Sequence, residues 1–280
     1  MIKLFSSNSS FFGHSIYAQS ANLFSMARND AEEKRSGKLK SEVIEVSALS
    51  VKHIDSMWEI FEKYYADVSF ETFFFDLKEK QDVILLTDSG NGVLEGFSTI
   101  RVFRKELNGK PYIAIYSGDT IISEKYWGQR ALQKEFFLYL LKSYVKYPTA
   151  DIYWFLISKG YKTYLLMTRN FPNCWPRHAV KTPNPVCEII DHLSLSMFGD
   201  NWKPEKGLLQ FDYESGCLKS DVAPIDDAAL LDPDIQYFRQ MNPAYALGDE
   251  LCCLGKVDFE LMVSYPVKLL RDSISKRLAS

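Results

Sequence analysis

The chain has 280 residues, of which 46% are hydrophobic and 14% aromatic, so it can bury a substantial core and is not disordered throughout. Its 33 basic and 36 acidic residues give a net charge of −3, which argues against a nucleic-acid binder. The sequence contains no run of roughly 18 apolar residues, and its first residues lack the apolar stretch of a signal peptide. We therefore expect a cytoplasmic protein without a membrane span.

The five cysteines lie at irregular spacings, and no CxxC or HxxxH element marks a metal site. We expect no bound metal and reduced, buried thiols, since free cysteine packs as a small hydrophobic side chain. One alternative concerns Cys174. Its neighbour Arg177 is a cation that could lower the pKa of the thiol and make the sulfur reactive.

The first 41 residues are rich in serine, asparagine and alanine and end in a charged run, so we predict an N-terminal arm over 1–41. Regular patterns begin at residue 42. A β-type pattern comes first, and two stretches with helical spacing follow it. The predicted elements are a strand over Val43–Leu49 and helices over Ser50–Tyr65 and Ser69–Lys80.

Three strands joined by glycine-containing turns come next, and such turns favour antiparallel pairing. These strands are predicted over Asp82–Thr87, Val93–Phe103 and Tyr112–Ile122. A polar loop then leads to an amphipathic helix, to an apolar strand of the kind that is buried on both faces, and to another helix. These elements are predicted over Ala131–Tyr144, Asp151–Ile157 and Lys159–Asn170.

Beyond residue 172 the pattern is less regular, and prolines interrupt it twice. Residues 173–280 are interpreted as a C-terminal extension, either a cap that packs on the core or a small subdomain. Asp249 and Glu250 are interpreted as part of a turn. The predicted elements here are helices over Val186–Phe198, Pro233–Met241 and Tyr265–Leu278 and a strand over Val257–Val263.

The loop that follows the strand ending at Ile122 reads Ser-Glu-Lys-Tyr-Trp-Gly-Gln-Arg before its helix begins. Backbone amides at such a helix start can hold a phosphate, helped by the helix dipole. The order of elements over 42–172 resembles the GNAT superfamily of acyl-CoA N-acyltransferases. The resemblance implies an α+β fold with a GNAT-like central sheet, mixed and mostly antiparallel, flanked by helices.

In that family the loop reads hydrophobic-x-Pro-x-Tyr/Phe-Arg-Gly-x-Gly-x-Gly and holds the pyrophosphate of coenzyme A. Tyr126 and Gly128 match this pattern, whereas Trp127 replaces the arginine, and Arg130 and Leu132 replace two glycines. Because glycine permits close backbone approach, we expect the Arg130 side chain to take over phosphate contact. The resemblance implies acyl-CoA binding at Ile121, Ile122, Trp127, Gly128, Gln129, Arg130 and Ala131.

Several of these positions have alternative interpretations. Ile121 and Ile122 would offer backbone groups to the pantetheine arm. Trp127 would stack on adenine, line an acyl tunnel or simply anchor the loop on the sheet. Gln129 and Arg130 are equally compatible with solvated surface.

The resemblance places a general base on the fourth strand and a general acid on the helix after the fifth. The candidates for the base are Tyr116 and Asp119, and Tyr164 is the candidate acid, with Tyr161 as a competitor. A carboxylate in an apolar strand has a raised pKa if it is buried without partners. The alternative is a structural Asp119 that accepts hydrogen bonds. Gly118 is expected to mark a bulge, where relatives splay two strands to admit pantetheine.

A second polar and aromatic group follows the last predicted helix of the core. It is expected to meet an anionic acceptor, such as an amino-acid carboxylate, because guanidinium groups pair well with carboxylates. Its members are Arg169, Trp175, Arg177 and His178.

The sequence thus favours an N-acyltransferase that moves an acyl group from a thioester to an amine by direct attack. The expected co-substrate is an acyl-CoA or an acyl carrier protein thioester, and no permanently bound cofactor is expected. A homodimer is left open. The alternative function is a catalytically inactive GNAT-like protein that senses a ligand or binds a partner.

Overall fold

The computed structural model describes residues 37–64, 68–211 and 225–279, so residues 1–36 of the predicted arm lie outside the described residues. Within these ranges no helix is long and apolar enough to cross a bilayer. The strands are β1 (Leu39–Glu45), β2 (Asp82–Asp88), β3 (Leu94–Leu107), β4 (Lys110–Ile122), β5 (Asp151–Ser158), β6 (Cys174–Trp175), β7 (Trp202–Lys203), β8 (Leu208–Leu209) and β9 (Glu250–Val257). The helices are α1 (Val51–Tyr64), α2 (Phe70–Lys78), α3 (Ala131–Lys146), α4 (Tyr161–Asn170), α5 (Asn184–Phe198), α6 (Pro233–Met241) and α7 (Phe259–Ala279).

All of these strands belong to one sheet with the order β1-β2-β3-β4-β5-β9-β8-β7, and β6 pairs with β9. The pair β4–β5 is parallel, and the other pairs among the described strands are antiparallel. Helix α3 supplies the crossover that a parallel pair requires. The predicted mixed and mostly antiparallel sheet flanked by helices is confirmed.

Successive side chains of each strand point to opposite faces of the sheet, and each face packs against its own layer of helices. Val83 and Leu85 of β2 pack with α1 and α2, whereas Ile84 and Leu86 pack in the cluster that contains α3, α4, α6 and α7. Helix α5 covers the far half of the first face, over β4, β5 and β9. We call the face with α1, α2 and α5 the front and the opposite face the back.

Local signals fix several helix starts. The Ser69 hydroxyl accepts a hydrogen bond of 3.1 Å from the Thr72 amide at the start of α2. Asp232 caps α6 in the same way and is followed by Pro233, which suits the first helical position because its missing N–H would be unpaired there.

Two predicted strands have wrong boundaries. Strand β1 begins at Leu39 rather than Val43, because its ladder with β2 runs from Leu39, opposite Asp88, to Glu45, opposite Asp82. A short 3-10 turn then occupies Val46–Ala48. Near the C-terminus, the strand predicted over Val257–Val263 is wrong, since β9 ends at Val257 and α7 begins two residues later.

Glu250 is the first residue of β9 and not part of a turn. Its carboxylate lies 3.2 Å from the ammonium of Lys159, and the two side chains are 2% and 3% exposed. Burial raises the pKa of Glu250 to about 7, and the attraction of Lys159 opposes that rise. The charged pair joins the end of β5 to the start of β9 inside the protein.

Gly96 sits where β3 approaches β4 too closely for a side chain. A Cβ there would lie 2.5 Å from the carbonyl oxygen of Ile121, which is backbone and cannot move aside cheaply. We expect Gly96→Ala to lower the free energy of unfolding by about 1–3 kcal/mol, as overpacking does. Urea denaturation monitored by fluorescence measures this.

Gly90→Ala is the control, because the nearest atom there is a side-chain oxygen of Asp88 at 3.1 Å. Its effect should stay within about 0.5 kcal/mol, as for ordinary surface substitutions. Equal losses in the two variants would contradict the close approach of β3 and β4.

Candidate active site

The parallel ladder between β4 and β5 stops halfway along both strands. It runs from Tyr112, opposite Asp151, to Tyr116, opposite Phe155. Beyond that point β4 continues to Ile122 without a β5 partner in the described register. The two strands therefore separate towards the end at which the loop to α3 begins.

A bulge on β4 lies where the separation begins. Ser117 is opposite Ile100 and Thr120 is opposite Ser98, so Gly118 and Asp119 together face Thr99 alone. The predicted bulge at Gly118 is thereby confirmed. A side chain at Gly118 would not fit, because its Cβ would lie 2.5 Å from the Thr99 hydroxyl oxygen. The bulge thus lies immediately after the end of the β4–β5 ladder, and bulges bend the strand that carries them.

A pocket lies on the back face between the separated ends of β4 and β5, and we call it the splay pocket. Its floor includes Ser117, Gly118 and Thr120 of β4 together with Leu156 of β5, and α3, α4 and α7 form its walls. Its volume is about 80 Å³. The Trp154 indole donates a 3.0 Å hydrogen bond to the Ser117 hydroxyl across the point where the strands part.

Polar atoms that line this pocket lack partners among the described residues. The side-chain carbonyl oxygen of Gln133 and the hydroxyl of Thr163 are buried and accept or donate no hydrogen bond there. Thr120, which also lines the pocket, donates to the Gly118 carbonyl at 3.0 Å. These two atoms are therefore available to pair with a polar group that enters the pocket.

Asp119 belongs to a cluster of charges at the bulge. The Lys80 ammonium contacts both carboxylate oxygens of Asp76, at 2.8 and 2.7 Å, and its stem lies 3.1 Å from where a Gly118 Cβ would be. Burial raises the pKa of Asp119 to about 8; the neighbouring Asp76 carboxylate adds to the rise, and Lys80 opposes it. A carboxyl with this pKa can exchange a proton near neutral pH.

The other candidate base, Tyr116, is 4% exposed and packs 6.1 Å from the ring of Phe155, in the layer beneath α5. Asp76 and Lys80 were not among the predicted site residues. Their i,i+4 spacing at the end of a phenylalanine-rich stretch indicates an ion pair between α2 and the residues just after it, but no local signal shows that this pair faces β4.

The loop before α3 is held by side-chain bonds to the sheet. The Tyr126 hydroxyl donates to the buried carboxylate of Asp88. The Trp127 indole donates a 2.8 Å hydrogen bond to the carbonyl of Ile122. Gln129 contacts the start of β1, because its amide donates to the Gly37 carbonyl at 2.9 Å and accepts from the Leu39 amide at 3.0 Å.

The same loop keeps features that a phosphate could use. Gly128 has a φ of +94°, a conformation that favours glycine, and a Cβ there would meet open space. Helix α3 begins at Ala131, and Arg130 precedes it without capping it by a side-chain bond. The first amides of a helix have no partner within it, so they face whatever occupies the loop. Ile121 and Ile122 are buried at the end of β4, immediately before this loop.

Tyr164, the predicted acid, lies in the core of the back face. It is 1% exposed, its ring is 5.6 Å from that of Phe238 on α6, and burial raises its pKa far above the ordinary value. Tyr161 is half-buried, and burial raises its pKa as well. The residues of α4 that line the splay pocket are instead Thr163, Leu166 and Asn170.

The four residues predicted to bind the acceptor make separate contacts in the structure. Arg169 contacts Asp232 at 2.7 Å, Arg177 donates to the Pro172 carbonyl at 2.8 Å, and Trp175 belongs to strand β6. The exposed His178 lies 6.4 Å from the ring of Tyr237. A role for these four residues in binding an acceptor stays a prediction.

Cys174 is not an activated thiol. It is buried, and burial raises its pKa to about 11, which outweighs the lowering by Arg177 that its sequence neighbourhood suggested. Over the described ranges, no group of three or more histidine, cysteine or acidic side chains is arranged to hold a metal ion.

No family model and no curated protein matches the sequence. Among solved structures, the chain is similar to the NatC complex bound to Gag peptide and CoA, with 12% identity, 50% of this chain and 87% of that chain covered, and a TM-score of 0.38. It is also similar to Arabidopsis thaliana NAA60 in complex with a bisubstrate analogue, with 16% identity, 52% of this chain and 91% of that chain covered, and a TM-score of 0.37. A third similar structure is Escherichia coli ElaA, with 14% identity, 52% of this chain and 95% of that chain covered, and a TM-score of 0.32.

Trp127→Phe tests the anchoring of the loop. The phenyl ring keeps the aromatic surface but leaves the Ile122 carbonyl without its indole donor, so we expect the free energy of unfolding to fall by about 1 kcal/mol. Chemical denaturation measures the change. An unaltered stability would show that the bond between the Trp127 indole and the Ile122 carbonyl does not hold the loop. It would favour the interpretation in which Trp127 stacks on a ligand.

Proposed function

We propose that the chain is an N-acyltransferase that transfers an acyl group from an acyl thioester, carried by coenzyme A or an acyl carrier protein, to an amine. The observation that supports this most is the separation of β4 from β5 beside the splay pocket. It leaves the β5-facing edge of β4 open over the residues after Tyr116, and an extended amide-containing chain such as pantetheine can pair with such an edge.

The thioester enters from the loop in this proposal. The amides at the start of α3 and the open space at Gly128 would receive the phosphates of the donor, and Arg130 would add a positive charge. Trp127 and Gln129 would hold the loop in shape through their bonds to Ile122 and to the start of β1. The unpaired polar atoms of Gln133 and Thr163 would meet the pantetheine amides.

Asp119 is the proposed general base. Ionised, it takes a proton from the acceptor ammonium, so that a neutral amine can attack the thioester carbon. The C–N bond forms and the C–S bond breaks, the nitrogen loses its second proton to solvent, and the sulfur leaves as a thiolate. The buried position of Tyr164 does not favour it as the acid, so the thiolate takes its proton from solvent.

A second candidate function is a ligand-sensing or partner-binding protein that no longer catalyses. Two observations favour it: Arg130 and Leu132 stand where the resembling family has glycines, and Tyr164 lies in the core. The same experiments separate the two functions, since a sensor binds the thioester without turning it over.

Binding is tested first with a panel of acetyl-CoA, octanoyl-CoA, palmitoyl-CoA and an acyl carrier protein thioester. At least one of them should raise the melting temperature, because a ligand that binds only the native state stabilises it. The same donor, mixed with a set of amines, should release free thiol. No shift with any donor would contradict both the acyltransferase and a thioester sensor, whereas a shift without thiol release would contradict the acyltransferase.

The pH dependence tests the base. Because the folded protein raises the pKa of Asp119 to about 8, the reactive carboxylate is scarce at pH 6 and forms as the pH rises. We expect kcat/KM to increase roughly tenfold per pH unit below that pKa and then to level off. Asp119→Asn should remove this inflection and most of the activity.

Asp76→Asn is the matched variant. It removes the neighbouring carboxylate and leaves Lys80 facing Asp119, and both changes lower the pKa of Asp119. The inflection should therefore move to lower pH while activity at high pH persists. An inflection that stays in place in this variant would show that Asp119 is not the titrating base.

A further inference from the structure

The splay pocket has two chemically different ends. The end at the β4 bulge carries the hydroxyls of Ser117 and Thr120 and the unpaired atoms of Gln133 and Thr163. The other end is lined by apolar and aromatic side chains of α3, α4, α7 and the residue after α4. These are Phe137, Leu140, Leu166, Leu261, Tyr265 and Phe171.

Helix α7, from the C-terminal extension, closes the apolar end. Leu261 is fully buried, and the ring of Tyr265 stacks on that of Phe137 with 4.4 Å between ring centres. The ammonium of Lys268 donates to the Arg169 carbonyl at 2.9 Å and to the Asn170 side chain at 2.8 Å. These bonds fasten α7 to the end of α4, so the closure is part of the fold.

We infer that this apolar end receives the acyl chain of the donor and selects medium-length chains over acetyl, an inference that rests on the proposed function. A thioester held along β4 has its polar arm at the polar end, and its acyl chain then lies against the apolar side chains under α7. The pocket has a volume of about 80 Å³, and part of it holds the pantetheine arm. The remainder is more than an acetyl methyl needs and less than a sixteen-carbon chain needs.

The affinities of thioesters of different length test this selection. Each methylene that becomes buried should tighten binding about fourfold. Octanoyl-CoA should therefore bind at least tenfold more tightly than acetyl-CoA, and palmitoyl-CoA should gain nothing over octanoyl-CoA. Isothermal titration of the full-length protein, without an amine, measures the three dissociation constants.

Substitutions in the pocket wall test where the acyl chain of the donor binds. Leu261→Ala enlarges the apolar end, so the tightest-binding donor should lengthen from octanoyl-CoA to decanoyl- or dodecanoyl-CoA. Leu193→Ala is the matched control, because Leu193 is equally buried but belongs to α5 and packs on the front face of the sheet. Tyr265→Ala changes the pocket wall at a half-buried position, so this variant can be used if Leu261→Ala does not fold. It should weaken the binding of octanoyl-CoA at least tenfold and change the binding of acetyl-CoA less than twofold.

The outcomes are distinct. If no thioester binds, the proposed function fails and the inference falls with it. If acetyl- and octanoyl-CoA bind equally, or if Leu261→Ala and Leu193→Ala leave the same length preference, the chain-length inference is overturned while the acyltransferase stands.

Discussion

The β4 bulge, where Gly118 and Asp119 share one partner on β3, is the constraint on which the site depends. The extra residue ends the parallel ladder with β5 at Tyr116 and opens a pocket on the back face. It also turns a carboxylate towards Asp76 and Lys80 on the front face. One local irregularity therefore creates a space for an extended ligand on one face of the sheet and a titratable group on the other. Neither would exist in a regular sheet, where the ladder would fill the space with backbone hydrogen bonds.

The two faces of the sheet contribute different features around the β4 bulge. On the front, α2 brings charges to the bulge through an ion pair that is mostly buried. On the back, α3, α4 and α7 leave an apolar space with a few unpaired polar atoms. The C-terminal third takes part in both the sheet and the pocket, since β9 extends the sheet beyond β5 and α7 closes the pocket wall. The protein is thus built so that late residues complete a site whose floor comes from the middle of the chain.

Local patterns were enough to predict the helices and strands from residue 50 to 170 and the bulge at Gly118, because spacing, turns and glycine act over a few residues. They failed for Glu250, since the partner that makes a buried acid tolerable in a strand lies 91 positions away in Lys159. They also missed Asp76, whose importance depends on how α2 docks on β4. Tyr164 illustrates a third limit. Helical spacing places it on α4, but only packing against α6 decides that it faces the core.

The Lys159–Glu250 pair limits how the chain can be recombined. A hybrid that kept the first 170 residues and received another protein's C-terminal portion would bury an ammonium group without its carboxylate. Removing one member of a buried ion pair destabilises a protein by about 3–5 kcal/mol, comparable to much of the stability of a whole domain. Substituting both members together by apolar residues of similar volume avoids that loss. The pair therefore requires that β5 and β9 be exchanged together in any recombination, although 91 positions separate the two residues along the chain.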